Sequence, residues 1–272
     1  MDIISYYFLF SLTFIPFLIT LQQTNYAFSL NFKGLIVGRT MEYLFEAFGD
    51  CMGLIFCFDR EIYGIVGRSV VFALTATLLA TLFAVPMGFL VGTRRFRGKS
   101  GLLTVMNTLM ALPTVVIGLL AYGLFSRRAP LGFLDLLFSP AAVIIGEFIL
   151  SLPIIANLTV SAVQAVDSRA ILTAKSLGAG RAMVTWTVLV EARFSLLAAI
   201  IAGFGRAVSE VGSAMMLGGN IRFYTRTMTT AIALETSKGE FGFGLALGFF
   251  LLLVVFSMNI LFHFLQGKGR RS

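Results

Sequence analysis

Five long apolar runs decide what this chain can fold into. A helix of about 20 apolar residues, rising about 1.5 Å per residue, crosses the roughly 30 Å hydrocarbon core of a bilayer. The sequence therefore predicts an all-α integral membrane protein, a bundle of five core transmembrane helices. The runs cover residues 69–91, 102–125, 141–160, 194–217 and 241–264.

The composition argues against a soluble protein and against nucleic-acid binding. Of the 272 residues, 58% are hydrophobic and 12% are charged, whereas about a quarter of the residues in a soluble domain are charged. The formal net charge is +8, but apolar blocks separate the basic residues and leave no continuous basic face. We therefore expect no nucleic-acid partner and assign the excess positive charge to the membrane surfaces.

A sixth apolar segment, residues 6–21, is shorter and contains Pro16 near its middle. It fits an additional transmembrane helix, the hydrophobic region of a signal peptide, or an extension from a misassigned start, because Met41 opens a sequence that would stand alone. A signal peptide would need a basic start and a small-residue cleavage site, which are missing here. We therefore favour an uncleaved hydrophobic extension over residues 1–40 and a transmembrane domain over residues 41–272.

The distribution of Lys and Arg predicts which ends of the helices face the cytoplasm. If the loop at residues 94–100 is cytoplasmic, so are residues 161–193 and the C-terminal tail. That side holds eleven basic residues against two acidic ones, whereas the other side is nearly balanced. Basic residues concentrate in cytoplasmic loops, so residues 161–193 are expected to form a cytoplasmic loop.

This cytoplasmic loop is polar enough to leave the membrane and apolar enough to fold. Ser168 is a suitable N-cap, residues 169–177 contain good helix formers, and Gly178 and Gly180 supply a left-handed stop. A solvated connector is the alternative, but loops of this length are usually functional or disordered, and this one is too apolar for disorder. We expect a short capped helix that transmits force from a soluble motor.

The same loop resembles the EAA loop of ATP-binding-cassette (ABC) importer permeases, whose pattern is Glu-Ala-Ala, three residues, Gly, nine residues and Ile-x-Leu-Pro. Two positions depart from it, because Leu172 replaces the usual Glu and Glu191 replaces the usual Pro. The resemblance implies contact with a separate ATPase, whose groove we expect to accept an apolar side chain at Leu172. The coupling residues implied are Leu172, Thr173, Ala174, Gly178, Val188 and Val190.

Residues 206–230 are similar to a second pattern, the Gly-Glu-Phe-Gly-Ala, Gly-Asn-Ile and Thr-x-Thr segment of molybdate and sulfate permeases. The variant Ser-Glu-Val-Gly-Ser-Ala-Met-Met-Leu-Gly-Gly-Asn, which begins at Ser209, is most similar to the tungstate importers. The resemblance implies a type I importer fold and a homodimer in the plasma (inner) membrane of a bacterium or archaeon. It also implies two copies of an ATPase that uses ATP and Mg, and an extracytoplasmic protein that delivers tungstate. Molybdate and sulfate are the alternative cargoes.

Charged and flexible side chains in this second pattern are candidates for the translocation path or its gate. Glu210 lies one helical turn after Arg206, so the two side chains can pair on one face. A charge inside a membrane indicates function by default, although a purely structural ion pair fits as well. Met215 and Met216 fit a flexible gate or simple gap-filling. The candidate set is Arg206, Glu210, Met215, Met216 and Asn220.

Four arginines are expected on the extracytoplasmic side. Fixed positive charge near an entrance would attract a dianion, and the same residues suit docking of an acidic binding protein or contact with lipid headgroups. These candidates for an anion entrance or a docking surface are Arg127, Arg128, Arg222 and Arg226.

Three further expectations concern the interior of the bundle. Glu147 is expected to pack against Asn107 or Asn157. Pro113 and Pro153 lie inside apolar runs and should kink their helices, because proline lacks a backbone N–H.

The sequence contains no catalytic, metal or cofactor constellation. Residues 92–100 resemble a phosphate-binding loop but hold one residue too many and follow an apolar run rather than a strand. Cys51, Cys57 and the single histidine, His263, lack metal-ligand spacing. We therefore expect a transport subunit without catalytic residues, metal or cofactor of its own. A secondary transporter is the less favoured alternative. It would show internal repeats and several mid-membrane acidic residues, whereas this sequence has only the scattered Glu147 and Glu210 and no convincing repeat.

Overall fold

A computed structural model describes residues 45–269 except residues 58 and 95, and this part of the chain is helical, without strands. The expected extension over residues 1–40 lies outside the described residues. The helices are α1 (residues 45–56), α2 (Arg60–Thr93), α3 (Lys99–Met110), α4 (Thr114–Phe125), α5 (Pro140–Gln164), α6 (Ser168–Ser176), α7 (Arg181–Glu191), α8 (Arg193–Val208), α9 (Gly212–Gly218), α10 (Met228–Lys238) and α11 (Phe241–Gly269).

Three of these helices, α2, α5 and α11, are each long and apolar enough to cross a membrane. Two bent pairs of helices among the described residues are long and apolar enough only when each pair is taken together: α3 and α4 meet at 95°, and α7 and α8 meet at 63°. The number of five spans therefore agrees with the sequence prediction when each pair counts as one span. The bends themselves are a structural detail that apolarity does not show, because it measures the length of a run and not the path of its backbone.

The bend between α3 and α4 lies where the sequence predicts a kink. Helix α3 ends at Met110, and Pro113 is the N-cap of α4 with an extended backbone. Proline disfavours a helical conformation in the residue before it and has no N–H to donate, so the helix stops and restarts. Pro153 has a milder effect, since α5 continues through it from Pro140 to Gln164.

The run at residues 194–217 is also interrupted. Helix α8 ends at Val208, α9 begins at Gly212, and residues 209–211 between them are not helical. Helix α9 packs against α4, where a Cβ added to Gly118 would lie 2.9 Å from the Cα of Ser213. The expected single span is therefore two helices with a break inside the bundle.

Helix α5 lies at the centre of the bundle, between α2 and α8. A Cβ added to Gly88 of α2 would lie 2.5 Å from the carbonyl oxygen of Ala156, and one added to Gly203 of α8 would lie 2.5 Å from Cγ1 of Ile155. Glycines allow the helices to approach this closely. Helix α11 packs on α10 and α8 at the periphery, and few of its apolar residues are buried.

Candidate functional site

Residues 161–193, which the sequence predicts to be cytoplasmic, contain the expected short helix, α6, shifted by one residue. The N-cap is Asp167 rather than Ser168, and its carboxylate accepts a hydrogen bond of 2.8 Å from the N–H of Arg169. Either residue type caps well, so spacing alone could not separate the two. The helix ends as predicted: Gly178 is left-handed at φ +81°, and the N–H of Ala179 bonds to the carbonyl of Ala174 at 3.0 Å.

The expected coupling residues divide into an exposed set and a buried one. Leu172 is 61% exposed and projects from α6, and Thr173 and Gly178 are exposed beside it. Val188, in contrast, is buried at 3% and attaches α7 to the bundle. Ala174 is half-buried and Val190 is 37% exposed. The exposed leucine is therefore available to a partner, whereas Val188 is already covered.

Helix α7 connects α6 to the bundle through a sharp corner. It packs on α6, and Ala192 is both its C-cap and the N-cap of α8. Ala192 is buried at 3%. Because only one residue separates the two helices, a displacement of α7 must also move the start of α8.

Glu210 lies in the break between α8 and α9 and holds three helices together. One carboxylate oxygen accepts a hydrogen bond of 2.9 Å from Arg206 in the last turn of α8. The other accepts from the N–H of Ser213 in α9, also at 2.9 Å. Its backbone carbonyl accepts from the hydroxyl of Thr229 in α10 at 2.5 Å. We call residues 209–211 and these contacts the Glu210 joint.

The pairing predicted for Arg206 and Glu210 is thus confirmed. The Glu210 side chain is 1% exposed and the Arg206 side chain is 28% exposed. Only Nη1 of Arg206 bonds to Glu210, so further N–H groups of the guanidinium remain available for an anion. The geometry therefore combines a structural ion pair with a partly accessible cation inside the membrane.

Glu147 has different neighbours from those expected. Its side chain is buried in α5 and interacts electrostatically with Glu210, and one of its carboxylate oxygens has no hydrogen-bond partner within the described part of the chain. Asn157 instead donates to Asn107 on α3 and lies 3.0 Å from the sulfur of Met110. The expectation was wrong because ten helical residues, about 15 Å of rise, separate Glu147 from Asn157.

The Gly-Gly-Asn and Thr-x-Thr motifs form the turn from α9 to α10. Gly219 and Asn220 are both left-handed, at φ +67° and +50°. The Asn220 side chain accepts from the Thr230 hydroxyl at 3.0 Å and donates to the Thr230 carbonyl at 3.3 Å. Thr227 and Thr230 form a capping box at the start of α10. Asn220 therefore has a defined structural role in this turn.

The two candidate gate methionines lie on α9, and both are half-buried. Met216 faces α4, where a Cβ added to Gly118 would lie 3.2 Å from its sulfur. A flexible side chain at this contact fills the space between the broken span and α4. Whether Met215 and Met216 gate the path stays a prediction.

The structure brings together two of the four candidate entrance arginines. Arg222 pairs with Glu61 through two nitrogens, one of them at 2.7 Å, and Arg226 lies 3.4 Å from Glu61 and 3.2 Å from Glu235. The hydrogen bond from Arg222 to Glu61, together with the carboxylate charge, raises the pKa of the Arg222 guanidinium. These residues line a cleft of about 430 Å³.

Arg127 and Arg128 lie on the loop after α4, where they are exposed and form no ion pair with any described residue. For Arg222 and Arg226, the sequence analysis did not identify the acidic partners, which are Glu61 and Glu235. Residues 61 and 222 are far apart in the chain, and no local spacing indicates such a pair. A search for acidic residues at the extracytoplasmic ends of spans would have found Glu61.

These features are those of a membrane-spanning transport subunit: an apolar bundle with an interrupted span, a partly exposed cation paired with a buried carboxylate, and an exposed capped helix between two spans. The chain belongs to the family of binding-protein-dependent transport system inner membrane components, whose model matches residues 84–271. The expected family resemblance is confirmed, and the chain is a multi-pass membrane protein that works as a transport subunit and not as an enzyme.

Three relatives illustrate the range of similarity. The chain is 38% identical over 226 residues to the tungstate uptake system permease protein TupB of Peptoclostridium acidaminophilum, covering 83% of this chain and 99% of that protein. It is 41% identical over 191 residues to a probable anion ABC transporter permease protein of Haloferax volcanii, and the match covers 68% of this chain and 82% of that protein. The molybdenum transport system permease protein ModB of Escherichia coli is 28% identical over 189 residues, and the match covers 64% of this chain and 82% of that protein.

Proposed function

We propose that this chain is the permease of an ABC importer that moves tungstate into the cytoplasm. The observation that carries the proposal is the continuous connection from the exposed helix α6, through α7 and α8, to the Glu210 joint. The similarity to a tungstate permease over nearly its whole length supports the cargo. Molybdate or sulfate is the alternative, because permeases for both are more distantly similar.

The energy source in this proposal is a separate ATPase, present in two copies, that uses ATP and Mg. The exposed Leu172 side chain seats in the ATPase groove. Closure of the ATPases on ATP displaces α6 and α7, and the corner at Ala192 passes the displacement to α8. ATP shifts the equilibrium between inward-open and outward-open states only to the extent that it binds one state better. Two copies of this chain form the path between them.

The Glu210 joint sits where α8 delivers this displacement. Helix α9 and the start of α10 are bonded to the same residue, so motion of α8 reaches both. Arg206 offers unpaired N–H groups to a tetrahedral dianion, and Glu210 balances its charge when no anion is present. Met215, Met216 and Asn220 stay proposed gate or path residues on the basis of their position next to this joint.

The extracytoplasmic surface supplies the docking site for the anion-binding protein. The loop after α4 and the last turn of α9 are joined by a hydrogen bond of 2.7 Å from the N–H of Phe138 to the carbonyl of Leu217. Phe133 is exposed on the loop after α4, which also carries Arg127 and Arg128, and Phe223 is exposed on the turn after α9, where the Arg222 guanidinium lies 5.0 Å from the centre of its ring. Arginines next to exposed aromatic side chains are typical of a protein-binding surface. We place this surface outside the plasma membrane of a bacterium or archaeon.

Reconstitution tests this proposal. The chain, its ATPase and the anion-binding protein are placed in liposomes, and uptake of radiolabelled tungstate is measured with ATP inside, with unlabelled molybdate and sulfate as competitors. We expect uptake only when all three components and ATP are present, and competition by sulfate only at large excess. Uptake by the chain alone along an ion gradient would instead indicate a secondary transporter, and equal competition by sulfate would reject tungstate as the preferred cargo.

A further inference from the structure

A second cavity, of about 930 Å³, lies on the cytoplasmic side and plays no part in the transport path described above. The last turns of α2 and α5 form one wall, and α6 and α7 form the other. The lining includes an apolar part, with Phe89, Val163 and Val184, and a basic part, with Lys99, Lys175 and Arg181. The cavity therefore lies where the spans end and the cytoplasmic loop begins.

The charged residues that line this cavity are all basic. No Asp or Glu lines it, and Lys175 and Arg181 form no ion pair or hydrogen bond through their side chains with any described residue. The Lys99 ammonium donates to the carbonyls of Gly92 and Arg94, each at 3.1 Å. Three cations without a carboxylate are suited to an anion, and most strongly to a phosphate group.

The size and the apolar lining decide between a small ion and an amphipathic ligand. A cavity of this volume is at the upper end of the range for drug-sized ligands, and a small inorganic anion would leave its apolar wall uncovered. Basic pockets between transmembrane helices on the cytoplasmic side are suited to acidic lipid headgroups. We propose that this cavity binds the phosphate group of an anionic phospholipid of the cytoplasmic leaflet, with acyl chains covering the apolar residues.

The ligand would connect the cytoplasmic loop to the bundle. Ser168, Ile171 and Lys175 of α6 line the cavity. Leu172 lies next to this face, since it is four residues after Ser168 and three before Lys175, but it does not line the cavity and is 61% exposed. A lipid in the cavity would hold α6 and α7 against α2 and α5, on the side of α6 that adjoins the proposed ATPase contact.

Native mass spectrometry of the full-length chain tests the site. The protein is released from nanodiscs made of an equal mixture of phosphatidylcholine and phosphatidylglycerol, and the lipids that stay bound are identified. We expect selective retention of phosphatidylglycerol by the wild type. The variant K175Q/R181Q should retain it about thirty-fold less well, the change expected when two cations are removed next to an anionic headgroup. R97Q, which removes an exposed cation that does not line the cavity, should retain it like the wild type.

Other results would overturn the inference. Equal retention of phosphatidylglycerol by the wild type and K175Q/R181Q would show that the cavity does not bind the lipid. Binding of inorganic phosphate or tungstate in nanodiscs of phosphatidylcholine alone, lost in K175Q/R181Q and without retention of phosphatidylglycerol, would make it a site for a free anion instead. The lipid measurement needs neither ATPase nor cargo, so it is independent of the proposed transport function.

Discussion

Truncation of Glu210 to alanine should loosen the bundle at the break between α8 and α9. The variant loses both acceptors of the carboxylate, one for Arg206 and one for the N–H of Ser213. The carbonyl that accepts from Thr229 stays in place, so α10 keeps one of its contacts. The effect therefore measures what the carboxylate itself contributes to the joint.

The magnitude follows from the burial of the two charges. Removing one partner of a buried ion pair costs about 3–5 kcal/mol. Because the Arg206 side chain is 28% exposed, solvent screens part of the remaining charge, and we reduce this to about 2–3 kcal/mol. The N–H of Ser213, left without its charged acceptor, adds about 1.5 kcal/mol. The expected loss is about 4 kcal/mol, which should lower the unfolding midpoint by about 10 °C for a chain of this size.

Thermal unfolding of the purified chain in detergent checks this value. D135N is the matched control, since Asp135 is exposed on the loop after α4, has a left-handed backbone that asparagine tolerates, and forms no ion pair with a described residue. E210Q should lie between the wild type and E210A, because the amide oxygen still accepts a hydrogen bond but has no charge. If E210A and D135N unfold at the same temperature, the carboxylate does not hold the break together.

Three further substitutions separate the backbone, contact and packing contributions. G178A should uncouple ATP hydrolysis from tungstate uptake in the reconstituted transporter: Gly178 has open space for a Cβ but a φ of +81°, and an L-residue there costs about 1–2 kcal/mol. G180A is the control, because Gly180 has an ordinary φ of −69°, and it should take up as much tungstate per ATP hydrolysed as the wild type. The same ratio of uptake to hydrolysis in G178A and G180A would refute the role of the left-handed stop. L172A should leave thermal stability unchanged but bind the ATPase about sixtyfold more weakly by surface plasmon resonance, because it removes three carbons worth about 0.8 kcal/mol each, or about 2.4 kcal/mol in all, from the proposed contact. Unchanged affinity would place the ATPase contact elsewhere. G88A should lower the unfolding midpoint, because the added Cβ would lie 2.5 Å from a carbonyl oxygen of α5. G123A should leave the midpoint unchanged, because nothing lies within 4 Å of a Cβ at Gly123. Equal midpoints for the two variants would mean that α2 and α5 can move apart without loss of stability.

The sequence predicts the spans well because bilayer thickness imposes a length that hydropathy detects. It also predicts the bend at Pro113 and the end of α6 at Gly178, since each depends on the backbone chemistry of one residue. The break at residues 209–211 has no such marker, because Ser209 and Val211 carry no strong helix-breaking signal. Glu210 at this break bonds to α10 as well as to its own neighbours, a tertiary contact that no local spacing indicates.

Long-range pairing explains the remaining differences. Arg206 and Glu210 are four residues apart, and their contact follows from helical spacing. Glu61 and Arg222 are 161 residues apart in the chain, and only the packed fold brings them together. The same holds for Glu147, whose burial near Glu210 depends on how α5 packs against the broken span.

The position of the break bears on how the bundle can move. Backbone hydrogen bonds make a continuous helix rigid, so a displacement at its cytoplasmic end would carry its whole length. With α8 ending at Val208 and α9 beginning at Gly212, rotation about the few residues between them changes the angle of α8 without breaking the hydrogen bonds inside either helix. The side-chain contacts of Glu210 then limit that rotation. In the proposed transport cycle the buried Glu210 carboxylate therefore sets how far α8 can turn relative to α9.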